Sequence, residues 1–152
     1  MNPASFLLLI VRVALGGVFV VSGFQKLWGP WENFAAVIEK FEIIRGLPMT
    51  VLAQALPWAE FLAGVFLILG LRTLVSLFVL WAMNTVFIGI LASAIARRLP
   101  IQECGCFGGA LSLSLPKMLV VDISLWVLFL VFFLGSRRVK VPSLDTSIGK
   151  YA

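Results

Sequence analysis

Apolar residues along this chain are gathered into four long blocks that short polar stretches separate. Each block is close to the roughly 20 residues that an α-helix needs to cross the hydrocarbon core of a bilayer. The pattern therefore predicts four membrane-spanning helices, at residues 6–27, 54–71, 74–96 and 117–134. Small residues in the first block, among them Gly16, Gly17 and Gly23, favour close contact with a neighbouring helix.

The loop after the first block has a helical pattern of its own. Apolar residues recur at helical spacing along one face of it, and acidic and basic residues cover the other. The apolar positions are Trp31, Phe34, Ile38 and Phe41. This pattern predicts a short amphipathic helix that lies flat on the membrane and ends at Gly46-Leu47-Pro48. The helix could be a simple connector, or it could cover the loop between the third and fourth blocks.

These elements predict an all-α fold, a four-helix transmembrane bundle with a short interfacial amphipathic helix in the first loop. Residues 1–135 would form one membrane domain, and residues 136–152 a short basic tail in the cytoplasm. The first block has no Lys or Arg before it and is long for a cleaved signal peptide, so we interpret it as a retained helix.

Charge changes this picture little. Only 12% of the 152 residues are charged, against about 25% in soluble domains, so no separate soluble core is expected. The net charge of +5 comes from residues scattered at the ends of the blocks, and this scatter does not suggest a nucleic-acid partner. The partner that the composition does predict is the lipid bilayer.

The only two cysteines lie one glycine apart, in Cys104-Gly105-Cys106 between the third and fourth blocks. An ordinary closed zinc site is not expected, because such a site needs four ligands and the chain has no histidine. Three interpretations stay open: thiol–disulfide exchange, capture of a soft metal such as Cu(I), and structural or incidental thiols. A disulfide across one residue closes a small strained ring, and strain of that kind favours exchange.

The side of the membrane on which the cysteines lie is not set by charge. Lys and Arg number five on the side of the termini and six on the other side, which gives no clear positive-inside bias. A redox pair is most useful in an oxidising compartment. We therefore predict a multi-pass protein of the cell (inner) membrane, with Cys104 and Cys106 in a periplasmic or extracellular loop.

Several ionisable residues are predicted in the same half of the bundle as the cysteines. Ionisable groups inside spans are costly and are candidates for function. Counting along the helices places five of them in that half: Lys26, Glu60, Arg97, Arg98 and Asp122. They could be ion pairs that lock the bundle, or a polar pocket that relays protons beneath Cys104 and Cys106. The two arginines, which end the third block, would also favour the reactive thiolate.

These residues together resemble the DoxX-like membrane proteins, and in particular the MauE branch associated with redox chemistry. The resemblance covers about residues 12–133 and rests on three motifs. The motifs are Arg12-x-x-Leu15-Gly16-x-x-Phe19-x-x-Ser22-Gly23-x-x-Lys26-Leu27, then Pro57-Trp58-x-Glu60 with Gly64, Gly70 and Arg72, and finally Cys104-Gly105-Cys106-Phe107-Gly108. The last motif is the one that points to the MauE branch.

The resemblance implies a role in methylamine utilisation, where such proteins are thought to help mature the disulfide-rich small subunit of methylamine dehydrogenase beside a thioredoxin-like protein. Carried onto this chain, it implies that Cys104 and Cys106 exchange electrons with an extracytoplasmic thioredoxin-like partner or a maturing substrate, as a thiol–disulfide oxidoreductase would. A quinone is the candidate electron carrier in the membrane, because the chain shows no flavin, haem or iron–sulfur ligands. The alternative is a non-catalytic membrane scaffold for a redox or maturation complex.

Overall fold

The computed structural model describes residues 3–43, 46–101 and 114–138. Cys104 and Cys106, and most of the predicted tail, lie outside these residues. The described chain is folded into five α-helices: α1 (Pro3–Trp28), α2 (Trp31–Lys40), α3 (Leu47–Leu69), α4 (Thr73–Ala96) and α5 (Leu115–Arg138). All but α2 are long and apolar enough to cross a membrane. The predicted all-α fold with four spanning helices and a short helix in the first loop is confirmed.

The start of the second spanning helix was predicted in the wrong place. Helix α3 begins at Leu47 rather than near residue 54, with Pro48 in its first turn. Proline is tolerated there because the first N–H groups of a helix have no partner within the helix. Gly46, at a φ of 75°, turns the chain into α3, and Pro57 consequently lies inside the helix. Because proline lacks an N–H, one hydrogen bond inside the helix is missing at that point.

Helices α1 and α3 pack closely because glycines let their backbones approach. A Cβ atom on Gly16 would lie 2.8 Å from the carbonyl oxygen of Gly64, and one on Gly23 would lie 2.8 Å from the backbone nitrogen of Phe61. Such distances leave no room for a methyl group, which is how small residues bring transmembrane helices together. The expectation for Gly17 was wrong, because a Cβ there would meet nothing within 4 Å.

The turn between α3 and α4 makes those two helices antiparallel neighbours. Gly70 ends α3 in the left-handed conformation, with φ of 73° and ψ of 30°. Its N–H donates to the Leu67 carbonyl at 3.3 Å, and the Leu71 N–H donates to the Phe66 carbonyl at 2.9 Å. This Schellman-type arrangement satisfies carbonyls at the helix end and needs almost no loop.

Helix α2 closes one end of the bundle. Phe34 and Ala35 are buried against Ala53 of α3. At the end of α2, Phe41 packs with Leu91 and other apolar residues of α4 and α5. The predicted apolar face of this helix is thus turned onto the bundle. The end of the bundle that it covers is the end where α1 and α4 finish and α3 and α5 begin.

Candidate functional site

A buried ion pair lies beneath α2. The Lys26 ammonium donates to both oxygens of the Glu60 carboxylate, at 2.9 Å to Oε1 and 2.6 Å to Oε2. The Ser22 hydroxyl, one turn earlier on α1, donates to Glu60 Oε2 at 3.3 Å. Lys26 is 6% exposed and Glu60 is 2% exposed. The expected contact between Lys26 and Glu60 is therefore present, and it is shielded from its surroundings.

The glycine contact explains why these two residues meet. Ser22 and Lys26 are four residues apart and so share one face of α1. Gly23, between them, lets the Pro57 carbonyl of α3 come within 2.9 Å of where its Cβ would stand. Glu60 follows Pro57 by about one turn, which brings its carboxylate to the Lys26 ammonium. Close packing of the backbones thus sets the geometry of the charged groups.

Two aromatic rings flank the ammonium. Lys26 Nζ lies 5.0 Å from the ring centroid of Phe34 and 5.4 Å from that of Phe87. Both distances are within the range of a cation–π interaction. Phe34 comes from α2 and Phe87 from α4, so these two helices close off the ion pair of α1 and α3. Neither ring was predicted to be part of the site.

A second polar contact joins α4 to α5. The Asn84 side chain donates from Nδ2 to the backbone carbonyl of Asp122 at 2.9 Å, and both residues are buried. Sequence reasoning missed Asn84. The signal that could have revealed it is the rarity of an amide side chain inside an otherwise apolar block, where a polar group needs a partner.

The ion pair and this second contact face one small cavity of about 30 Å³. Its polar lining comes from all four spanning helices, and its remaining walls are apolar. The polar residues are Ser22, Lys26, Glu60, Asn84 and Asp122. About 10–15 Å³ of space for the centre of a water-sized sphere is enough for one water molecule, so the cavity can hold one that bridges these groups. The lining has the donors and acceptors that are needed to hold a proton or pass it on.

The charges of this lining do not balance when all its groups are ionised. Two carboxylates, Glu60 and Asp122, face one ammonium, Lys26. A net negative charge inside an apolar bundle favours a proton or a small cation at this position. Among the described residues no group of three or more His, Cys, Asp or Glu side chains could hold a metal ion.

The two predicted arginines lie at the rim and do not line the cavity. Arg97 follows α4, is exposed, and donates from Nη2 to the Phe41 carbonyl at 2.6 Å, which ties α2 to α4. Arg98 is exposed and has a positive φ of 53°. The structure thus brings three of the five predicted polar-pocket residues together: Lys26, Glu60 and Asp122.

The described residues on either side of residues 102–113 belong to an apolar cluster that borders this cavity. Ile101, the last described residue before the segment, packs in the same apolar cluster as Leu115 at the start of α5. Met118 belongs to that cluster and also lines the polar cavity. The chain therefore enters and leaves residues 102–113 at this apolar cluster, of which Met118 borders the buried charges.

Comparison with known proteins gives one match. The family model described as methylamine utilisation protein MauE matches residues 4–135, which is most of the chain. No match was found among curated proteins or among solved structures. The matched range contains every element of the candidate site and the Cys104-Gly105-Cys106 motif.

Proposed function

The chain belongs to the methylamine utilisation protein MauE family, and from this premise we propose that it is a membrane-embedded thiol–disulfide redox protein. In this proposal Cys104 and Cys106 exchange disulfides with a thioredoxin-like protein outside the cytoplasm or with a maturing substrate. The link of the family to methylamine utilisation makes maturation of methylamine dehydrogenase the candidate process.

The observation that supports the proposal is the position of the buried charges relative to the described residues on either side of the cysteine segment. Its flanking residues, Ile101 and Leu115, pack in one cluster, and Met118 of that cluster borders the cavity with Lys26, Glu60 and Asp122. Disulfide exchange consumes and releases protons at sulfur. A buried group of ionisable side chains at this position could supply and accept those protons without histidine.

The exchange step itself needs only the two thiols and a partner disulfide. A thiolate of the pair attacks one sulfur of the partner, and the other partner sulfur leaves as a thiolate. The second cysteine of the pair then attacks the mixed disulfide, which yields a Cys104–Cys106 disulfide and a reduced partner. The reverse sequence oxidises the partner. Arg97 and Arg98 lie shortly before the cysteines in sequence, and cations favour the reactive thiolate.

Trapping of the mixed disulfide tests this proposal. In Cys104→Ser or Cys106→Ser, the remaining cysteine can still attack the partner disulfide. The mixed disulfide then persists, because the second cysteine of the pair is no longer there to attack it. We expect one of these variants to accumulate a covalent complex with a thioredoxin-like protein, which reducing agent releases. The double variant, Cys104→Ser with Cys106→Ser, is the control and should trap nothing. Full maturation activity in the double variant would instead favour the scaffold function.

The compartment of the cysteines has a separate test. A membrane-impermeant maleimide added to intact cells after mild reduction should label Cys104 and Cys106. As a matched control, Arg72→Cys in the double-serine background places one thiol in the exposed turn at the opposite end of the bundle. That thiol should react only after lysis. The reverse pattern of labelling would place the cysteines in the cytoplasm.

A further inference from the structure

The small cavity between the four spanning helices has one more carboxylate than it has cations. We call it the polar cavity, after its lining by Ser22, Lys26, Glu60, Asn84 and Asp122. Its ionisable lining comes from α1, α3 and α5 as one ammonium and two carboxylates, and α4 contributes a neutral amide. With both carboxylates ionised, one negative charge would be left uncompensated among apolar walls, which is costly.

The two carboxylates are not held in the same way. Glu60 accepts hydrogen bonds from Lys26 on both of its oxygens, at 2.9 and 2.6 Å, and from Ser22 at 3.3 Å. Within residues 3–43, 46–101 and 114–138, no group donates a hydrogen bond to the carboxylate of Asp122, although Asp122 is 6% exposed. The Asn84 amide donates to the backbone carbonyl of Asp122 instead. Asp122 is therefore the carboxylate whose charge is less well compensated.

A proton fits this position better than a metal cation does. A hard cation such as Mg²⁺ or Ca²⁺ takes about six or more oxygen ligands. Both oxygens of Glu60 already accept from Lys26, and the ammonium repels a second cation in the same small space. A proton needs one oxygen atom, and a neutral carboxyl group costs far less to bury than a carboxylate.

From these features we infer that the carboxyl group of Asp122 holds one proton at neutral pH and is the proton store of the polar cavity. Lys26 and Glu60 then form a neutral pair, Asp122 is uncharged beside them, and the lining as a whole carries no net charge. The cavity has room for one water molecule, which gives the proton a path between the Asp122 carboxyl group and Glu60.

The use of this proton rests on the proposed function, whereas its presence on Asp122 does not. In disulfide exchange the attacking thiol loses a proton and the leaving thiolate gains one, so no proton is consumed overall. One stored proton is therefore enough. Asp122 gives its proton toward the leaving thiolate, and the resulting carboxylate takes up the proton of the attacking thiol.

Infrared spectroscopy tests the inference without any measurement of activity. A protonated carboxyl group has a C=O stretching band that a carboxylate lacks, and this band moves to lower frequency in D₂O or when its carbon is ¹³C. The full-length protein is measured in a maltoside detergent, which has no carbonyl group to obscure the band. We expect the band at neutral pH in the wild type and its loss in Asp122→Asn, which keeps the backbone carbonyl that Asn84 binds.

The second aspartate of the chain provides the matched control. Asp145→Asn makes the same chemical change in the predicted tail and should keep the band. Asp122 is then the one aspartate left, so a band that shifts with ¹³C-aspartate belongs to it. This assignment leaves the cavity unaltered and holds even if Asp122→Asn does not fold.

Glu60→Gln tests the charge balance itself. The lining of this variant keeps one ammonium and one carboxylate, so Asp122 should give up its proton and the band should disappear although Asp122 is intact. A purely structural role of Asp122 would not produce this loss.

Three results would overturn the inference: no aspartate-sensitive band at neutral pH, a band that shifts with ¹³C-glutamate instead, or an unchanged band in Glu60→Gln. The cysteine-free double variant should keep the band, because its cavity is intact. The band together with no disulfide trapping would therefore refute the exchange function alone. Trapping together with no band would refute the proton store alone.

Discussion

Neutralising one member of the Lys26–Glu60 pair should destabilise the bundle far more than neutralising both. In Glu60→Gln the Lys26 ammonium loses its hydrogen-bonded carboxylate and keeps only Asp122, which lines the same cavity, and in Lys26→Met the Glu60 carboxylate stays buried beside Asp122 without the cation. The double variant, Lys26→Met with Glu60→Gln, removes both charges of the pair and leaves Ser22, Asn84 and Asp122 as the polar lining of the cavity. Burial of each charge is costly only without its partner. The losses of stability in the two single variants should therefore not add in the double variant.

The contacts set the size of each effect. Loss of one partner of a buried ion pair typically costs about 3–5 kcal/mol of stability. Glu60→Gln should cost about 3 kcal/mol of stability, at the lower end of this range. The reason is that Phe34 and Phe87 still face the ammonium, and a cation–π contact contributes about 0.5–2 kcal/mol. Lys26→Met should cost about 4–5 kcal/mol, since among the described residues Ser22 is the remaining donor to the carboxylate. The double variant should lose at most about 2 kcal/mol, since a neutral replacement is often tolerated.

Reversible unfolding in mixed micelles, followed by tryptophan fluorescence, gives the free energy of unfolding for each variant. Glu39→Gln makes the same chemical change on an exposed position of α2 and should stay within about 0.5 kcal/mol of the wild type. Two results would contradict this prediction: single variants as stable as this control, or losses of stability that add in the double variant. Either would mean that the ion pair does not hold α1 against α3.

Two further predictions concern the packing that surrounds this pair. Gly23→Ala should destabilise the protein by about 1–3 kcal/mol because the new methyl group meets the α3 backbone, whereas Gly17→Ala, in open space, should have little effect; the same unfolding assay compares them. Arg97→Met should loosen α2 because it removes the hydrogen bond to the Phe41 carbonyl, and faster proteolysis within residues 31–43 should report it. Arg98→Met is the control for the lost charge, and equal proteolysis of both variants would contradict a specific role for Arg97.

The spanning helices could be predicted from the sequence because block length and hydropathy decide them almost alone. In a bilayer the backbone must satisfy its own hydrogen bonds, so an apolar block of sufficient length forms a helix. The start of α3 could not be placed in the same way. Two prolines, Pro48 and Pro57, fall close together, and a pattern of residue types does not reveal which one begins the helix. Helix α3 continues through the second proline, which transmembrane helices tolerate.

The depth of the polar residues was also predictable, but the direction in which each one points was not. A rise of about 1.5 Å per residue placed Lys26, Glu60 and Asp122 at one level, and they do line one cavity. The same counting placed Arg97 and Arg98 nearby, yet they lie at the rim, because depth says nothing of rotation about the helix axis. The tight contact of α1 with α3 fixes how these two helices are rotated about their axes. A sequence shows the glycines without showing which of them face a partner.

The contacts of helix α2 bear on the two interpretations of the first loop, as a connector or as a cover. Phe34 contacts the buried ammonium, and the Phe41 carbonyl is held by Arg97, so the helix is fastened to both α1 and α4. These contacts make it a connector with a fixed position. Phe34 also lines an apolar cavity of about 380 Å³ between α2, α3 and α4, so any movement of α2 would open this cavity and expose the ion pair together. The interpretation of α2 as a cover of the cysteine loop stays a prediction, because that loop lies outside the described residues, but the two attachments of the helix set how easily the buried charges are reached.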